Sequence, residues 1–251
     1  MNNILAVAHK ELKSYFASPI AYVVIGLFAL MYGYFYAALL VSFLNQSLGF
    51  SGGTANVNEQ MIRGVFLNAD VVLLFVLPMV TMRTYAEEKR AGTIELLLTS
   101  PLTDFQIIMG KFLGAMALYA AMLAVTFIHM AALFIFGKPE WLPIATGYLG
   151  MLLMGGCFIS VGLFISSTTS NQIVAGMVAF AVFLMLWIIN WIGSLFGPGV
   201  QAVLTYLSVV EHFDDFTRGV IDTKHLVYYL SFIAFGLFLT MRSVDTARWK
   251  G

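Results

Sequence analysis

Residues 173–195 read IVAGMVAFAVFLMLWIINWIGSL, 23 consecutive positions without a charged side chain. An α-helix rises about 1.5 Å per residue, so about 20 apolar positions cross the hydrocarbon of a bilayer. Five further apolar stretches, at 20–44, 62–82, 106–136, 144–166 and 226–241, repeat the pattern. The last is short for a span, and its start is expected to reach back into His225 or Lys224. With no internal repeat and no low-complexity segment, the chain reads as an all-α integral membrane protein of six transmembrane helices, one domain over residues 1–251.

Composition agrees. The chain is 60% hydrophobic and 10% charged, with a mean hydropathy of +0.89, where a water-soluble domain would carry about a quarter charged residues. Thirteen basic and thirteen acidic residues cancel, which leaves no bulk attraction for nucleic acid. Cys157 is the single cysteine, so disulfide frameworks and cysteine-based zinc sites are excluded. The first residues lack the apolar core and small-residue cleavage site of a secretory signal, and no segment is expected to be removed. Residues 2–17 instead place His9, Lys10, Lys13 and Ser14 on one side of a helical wheel and Ile4, Leu5, Ala8, Leu12, Tyr15 and Phe16 on the other. That is the pattern of an interfacial amphipathic helix, and Ser18-Pro19 predicts a bend after it. With both termini inside, nine Lys and Arg fall on the cytoplasmic side (10, 13, 83, 89, 90, 111, 242, 248, 250) and four outside (63, 138, 218, 224). The positive-inside rule therefore predicts cytoplasmic termini in a bacterial inner membrane.

The polar residues that depart from the apolar pattern carry the functional information. Between the second and third spans runs RTYAEEKRAGTIELLLTSP, residues 83–101. Arg83–Arg90 is expected to continue the second span as helix, Gly92 to break it, and Thr93 to cap a short helix over 94–99 with Glu95 in its first turn. Pro101 ends that helix, and Thr103 with Gln106 forms a capping box for the third span. The result is a knob presenting Leu96, Leu97 and Leu98 to a partner surface, or tucking them back under the bundle. No Gly-x-x-x-x-Gly-Lys-Ser/Thr loop occurs; Gly110-Lys111 has Phe105 at the position of the first glycine. The chain is not expected to be its own ATPase.

The run Ala86-Glu87-Glu88-Lys89-Arg90-x-Gly92-Thr93-x-Glu95-Leu96-Leu97-Leu98-x-x-Pro101, followed by Gly110-Lys111, resembles the signature of ABC-2 type transporter permeases, nearest the gliding-motility and nitrous-oxide-reductase-maturation branch. The resemblance extends to the layout of surface helix, six spans, cytoplasmic termini and long outer segment before span six. It implies that the 83–101 loop carries the coupling helix that docks on a separate ABC ATPase subunit. Glu87, Glu88, Lys89, Gly92, Thr93 and Glu95 would then transmit the ATPase's movement, the charged residues pairing with its groove and Gly92-Thr93 setting the knob's angle. ATP and magnesium would sit on that partner, with no cofactor on this chain, and a second permease copy or paralogue would complete the path. The function implied is export of an unidentified substrate by alternating access.

Two other groups stand out. The segment Phe196–His225 resembles the family's re-entrant outer helices, with Glu211, Asp214, Asp215 and Arg218 at an outer gate. With His212 the acids have metal-ligand chemistry, but their spacing matches no metal motif, and alternating acid and Phe fits an interfacial helix. Asp70 and His129 lie at similar depth, roughly 10 to 12 Å from the outer ends of spans two and three, and an intramembrane pair between them is expected. An ion-coupled secondary transporter or a membrane anchor of a larger assembly stands as the alternative. An intramembrane protease using Glu87-Glu88 fits poorly, because the pair falls outside the bilayer and the four histidines are scattered.

Overall fold

A computed structural model of the chain describes residues 2–48, 56–193 and 195–250. Eleven α-helices follow one another among these residues: α1 (Asn2–Ala17), α2 (Pro19–Ser47), α3 (Gly64–Thr81, led in by a wide π-type segment Val57–Arg63), α4 (Ala86–Arg90), α5 (Ile94–Leu98), α6 (Asp104–Phe136), α7 (Trp141–Thr168), α8 (Gln172–Gly193), α9 (Pro198–Leu207), α10 (Glu211–Thr217) and α11 (Thr223–Lys250). Six helical stretches are long and apolar enough to cross a membrane: Pro19–Ser47, Val57–Arg90, Asp104–Ile135, Trp141–Thr168, Gln172–Gly193 and Thr223–Thr246. The sixth begins before Lys224, as its short apolar core demanded. Much of the Gly- and Ser-containing connector after the first span, 49–55, lies outside the described residues.

Local chemistry accounts for the breaks. Ser18 is extended (φ −102°, ψ 147°), its Oγ accepts from the Ile20 N–H, and Pro19 opens α2 where no donor is needed. The predicted bend between α1 and α2 is therefore present. The predicted capping box on α6 is present too, with Thr103 Oγ1 accepting from the Gln106 N–H at 3.3 Å and Gln106 Oε1 from the Thr103 N–H at 3.2 Å. Two expectations need correction. Arg83–Arg90 does not simply prolong the second span: residues 82–85 form a turn before α4. The cause is Ser166 on α7, whose Oγ accepts from the Tyr85 and Ala86 N–H groups at 3.1 Å and donates to the Met82 carbonyl at 3.1 Å, substituting for helical bonds. Thr93 does not cap α5 with its hydroxyl, which instead donates backward to the Glu88 carbonyl.

The core is built on α3 and α7, which bury 67% and 72% of their most apolar stretch against 17% for α2 and α8. Glycine explains the central place of α7. A methyl at Gly150 would lie 2.8 Å from Phe216 of α10, and methyls at Gly155 and Gly162 would collide with Tyr119 of α6 and Thr81 of α3. Small residues let backbones approach where no hydrophobic contrast with lipid drives helix packing. The same device seats α1 on α6, since methyls at Gly110 and Gly114 would lie 2.5 Å from Val7 Cβ and 2.7 Å from Glu11 Cβ. The polar face expected of α1 (His9, Lys10, Lys13, Ser14) is exposed, while Val7, Glu11 and Tyr15 form its buried stripe. The burial of Glu11 falls outside the helical-wheel expectation.

Candidate functional site

Lys111 stands about two turns into α6, its side chain fully buried. Its ammonium has three donors and the structure gives each an acceptor: Glu11 Oε1 of α1 at 3.0 Å, Glu88 Oε1 of α4 at 2.9 Å and the Thr84 carbonyl at 2.9 Å. The Tyr85 ring lies 5.0 Å from the same ammonium. Lys10 adds a second cation, 3.4 Å from Glu88 and 3.8 Å from Glu11. Two carboxylates therefore share two ammonium groups, and the cluster is electrically balanced where an isolated charge would be costly. It joins three elements far apart in sequence: the first helix, the knob and the base of the third span.

The rest of α4 is held as tightly. Arg83 grips Glu87 through two bonds (2.8 and 3.1 Å) and reaches Ser18 at 3.1 Å. Lys89 donates to the Ser167 carbonyl at the end of α7. Beyond Arg90 the helix closes in a Schellman motif, the Gly92 N–H bonding to the Lys89 carbonyl and the Thr93 N–H to the Glu88 carbonyl, with Gly92 at φ +69°. The helix α5 follows, with Glu95 exposed and Leu96 73% exposed; the side chains of Leu97 and Leu98 lie outside the described residues. A groove of about 460 Å³ separates α5 from α1, lined by Lys10, Glu88, Thr93 and Leu96 among others.

The six residues expected at the coupling surface thus divide. Gly92, Thr93 and Glu95 are exposed on the knob. Glu87, Glu88 and Lys89 are engaged by this chain itself. Sequence reasoning missed Glu11, Thr84 and Tyr85, and treated Lys111 only as part of a motif. An acid at the centre of an otherwise apolar stripe on α1 was the available signal for Glu11.

At the opposite end of the bundle, each of the predicted outer-gate residues has a side-chain partner. Arg63, at the start of α3, binds Asp214 at 2.8 and 3.0 Å, and Arg218 reaches the other Asp214 oxygen at 2.8 Å. Glu211 accepts from Asn190 of α8, whose carbonyl oxygen accepts from Thr205 of α9. Asp215 pairs with His225 at 2.7 Å. Among the described residues no group of three or more His, Cys, Asp or Glu is arranged to hold a metal ion.

The expected pair of Asp70 and His129 does not form. Asp70 accepts from Trp187 Nε1 of α8 at 2.9 Å. His129 packs between the rings of Tyr32 and Tyr36 of α2, 5.3 and 5.1 Å away, facing Gly33. Spans two and three are consecutive in sequence, but α2 and α7 each pack against both and keep them apart.

The ABC-2 family transporter protein model matches residues 5–240. The chain belongs to the ABC-2 transporter family. It is 31% identical over 144 residues to the probable multidrug ABC transporter permease YbhR of Escherichia coli K12, and equally to that of Escherichia coli O157:H7. The match covers 56% of this chain and 38% of those proteins, so the chain spans well under two thirds of the relatives it matches. As an ABC-2 family membrane protein with six apolar helices, it carries its buried charges at the foot of α6, behind the α4–α5 knob.

Proposed function

We propose that this ABC-2 protein is the permease subunit of an ATP-binding cassette exporter, worked by alternating access through a separate ATPase subunit. One observation carries the reading: the knob is bolted through Glu88 and Lys111 to α6 and through Glu11 to α1. A push on α5 would then reach α4 through the turn at Gly92, and a membrane-crossing helix through the Glu88–Lys111 pair. The docking surface is the exposed part of the knob, Gly92, Thr93, Glu95 and Leu96, and the adjoining groove. ATP and magnesium belong to the partner, and a second permease copy or paralogue supplies the other half of the path. The knob and both termini face the cytoplasm of a bacterial cell, with α9 and α10 as re-entrant outer helices at the far end and α1 along the inner interface. The relatives' designation as probable multidrug permeases makes amphipathic drugs the first substrates to assay.

The test is recovery of the protein in mild detergent with its partners identified by mass. An ATPase subunit retained by the wild type and by Lys111→Met, and lost by Leu96→Asp with Glu95→Lys, supports the docking surface. ATP turnover insensitive to transport substrate in Lys111→Met alone supports transmission through the cluster. No ATPase on the wild type would overturn the reading in favour of an ion-coupled transporter or an anchor, with substrate-driven ion flux as the next measurement.

A further inference from the structure

His212 and His225 face each other across the junction of α10 and α11, Nδ1 to Nδ1, at 2.6 Å. Each ring has a second partner. His212 Nε2 lies 2.9 Å from the Tyr206 carbonyl at the end of α9, and His225 Nε2 lies 2.7 Å from Asp215 Oδ2. These partners fix the hydrogens. A carbonyl only accepts, so His212 carries its hydrogen on Nε2 and presents a lone pair at Nδ1. His225 must then donate from Nδ1 to His212 and from Nε2 to the Asp215 carboxylate, and so it carries both hydrogens. One hydrogen, and only one, fits between the two Nδ1 atoms.

A second hydrogen there would set two N–H groups head to head and two cationic rings in contact. The geometry points to an acid-released latch: protonation of His212 parts it from His225 and loosens α10 from the first turn of α11. The cleft of about 370 Å³ between α9, α10 and α11, lined by Thr205, Tyr206, Glu211 and Lys224 among others, widens as a result.

The surrounding groups leave His212 as the responsive one. From α9 only Tyr206 faces the pair; from α10 come Glu211, Asp214 and Asp215; from α11 and its lead-in, Asp222, Lys224, Tyr228 and Tyr229. Glu211 is held by Asn190 of α8, Asp214 by Arg63 of α3 and by Arg218, and Asp222 by Lys224. Helix α7 meets α10 through Gly150 and Thr146, with Cys157 a layer deeper against the Tyr229 carbonyl. Burial pushes the His212 imidazole below its ordinary value, and His225 and Lys224 act in the same direction against the opposing Tyr206 carbonyl and Asp215. The latched state thus binds the proton less readily than the parted state, in which His212 regains its ordinary value of about 6.5. The latch is complete above that pH and is lost progressively as pH falls through it toward the lower, latched value. Over that window the ratio of parted to latched forms rises by up to about tenfold per pH unit.

The experiment is a spin-label distance measurement on the full chain in lipid nanodiscs, with Val203→Cys on α9 and Val227→Cys on α11, both exposed positions; Cys157 is buried and takes no label. The expected result is one distance at neutral pH and a second, longer one that grows on acidification. The response should persist in His129→Gln and vanish in His212→Gln. An acid response absent from the wild type, or undiminished in His212→Gln, overturns the latch. Nitrogen-15 histidine spectra give an answer that does not depend on how well a His212 variant folds. A neutral His212 protonated on Nε2 beside a doubly protonated His225 supports the assignment, and a His212 hydrogen on Nδ1 at neutral pH overturns it. Neither measurement needs transport or an ATPase, so the latch and the export reading fail independently.

Discussion

Lys111 Nζ lies 2.9 Å from Glu88 Oε1, a buried bond between the foot of one membrane-crossing helix and the middle of a five-residue helix in the preceding loop. Removing this cation leaves Glu11 and Glu88 with only the largely exposed Lys10 ammonium as a shared partner. Lys111→Met is expected to cost about 3–5 kcal/mol, read as a large fall in unfolding temperature in detergent. Adding Glu11→Gln and Glu88→Gln should recover part of it, because no buried charge is then stranded and the remaining Lys10 ammonium is largely exposed. A Lys111→Met protein as stable as the wild type would show that the cluster contributes nothing.

Gly92 sits at φ +69° with open space around it, so a side chain there meets no neighbour and any effect is one of backbone conformation. Gly92→Ala is expected to cost about 1–2 kcal/mol locally and to change the angle at which α5 leaves α4. Gly92→Asn should cost less, since Asn tolerates the left-handed region. Partner ATPase stimulation measured for both variants checks this: equal losses would mean that glycine matters for contact and not for shape.

Gly155 and Gly26 make a matched pair. A methyl at Gly155 runs into the Tyr119 ring, whereas at Gly26 on α2 nothing lies within 4 Å. Gly155→Val should destabilise by about 1–3 kcal/mol or prevent assembly of the bundle, while Gly26→Ala should be neutral or slightly stabilising. Thermal unfolding of the two proteins side by side is sufficient.

Asp70 supplies the acceptor for the Trp187 indole N–H. Asp70→Asn retains an acceptor and should leave stability within about 1 kcal/mol, whereas Asp70→Leu leaves that donor without a partner and should cost about 1–3 kcal/mol. Indole fluorescence should shift with the second substitution and not the first. An Asp70→Asn protein that is stable but fails to transport would give the carboxyl a mechanistic role.

The parts of the fold that were legible in sequence are those written locally. Apolar length marks the six spans, Ser18-Pro19 the first bend, Gly92 the end of α4, and Thr103 with Gln106 the start of α6. What failed required knowing which helices touch. Asp70 and His129 share a depth, but α2 and α7 lie against both of their helices, so equal depth was a poor guide to proximity. Glu11 and Lys111 meet across 100 positions of sequence, and only the glycines at 110 and 114, read together with the apolar stripe of α1, hinted at that contact. The intrachain partners of the knob's charges were not legible either. Local pattern says that Glu88 is polar and exposed by default, and only the buried ammonium beside it turns the side chain inward. His212 and His225 were counted separately because the turn that brings them together, with Gly219 at φ +86°, has no periodicity to read.

Helix α7 is held at both tips by hydroxyl groups. In its first turns Thr146 donates to the Phe216 carbonyl of α10, and in its last turn Ser166 collects the Tyr85 and Ala86 N–H groups of the knob. At 28 residues it is about 42 Å long, and its glycines lock its waist to α6, α3 and α10. Were it to tilt as a rigid rod about that waist, a few degrees at the knob would become ångström-scale travel, in the opposite direction, under α10.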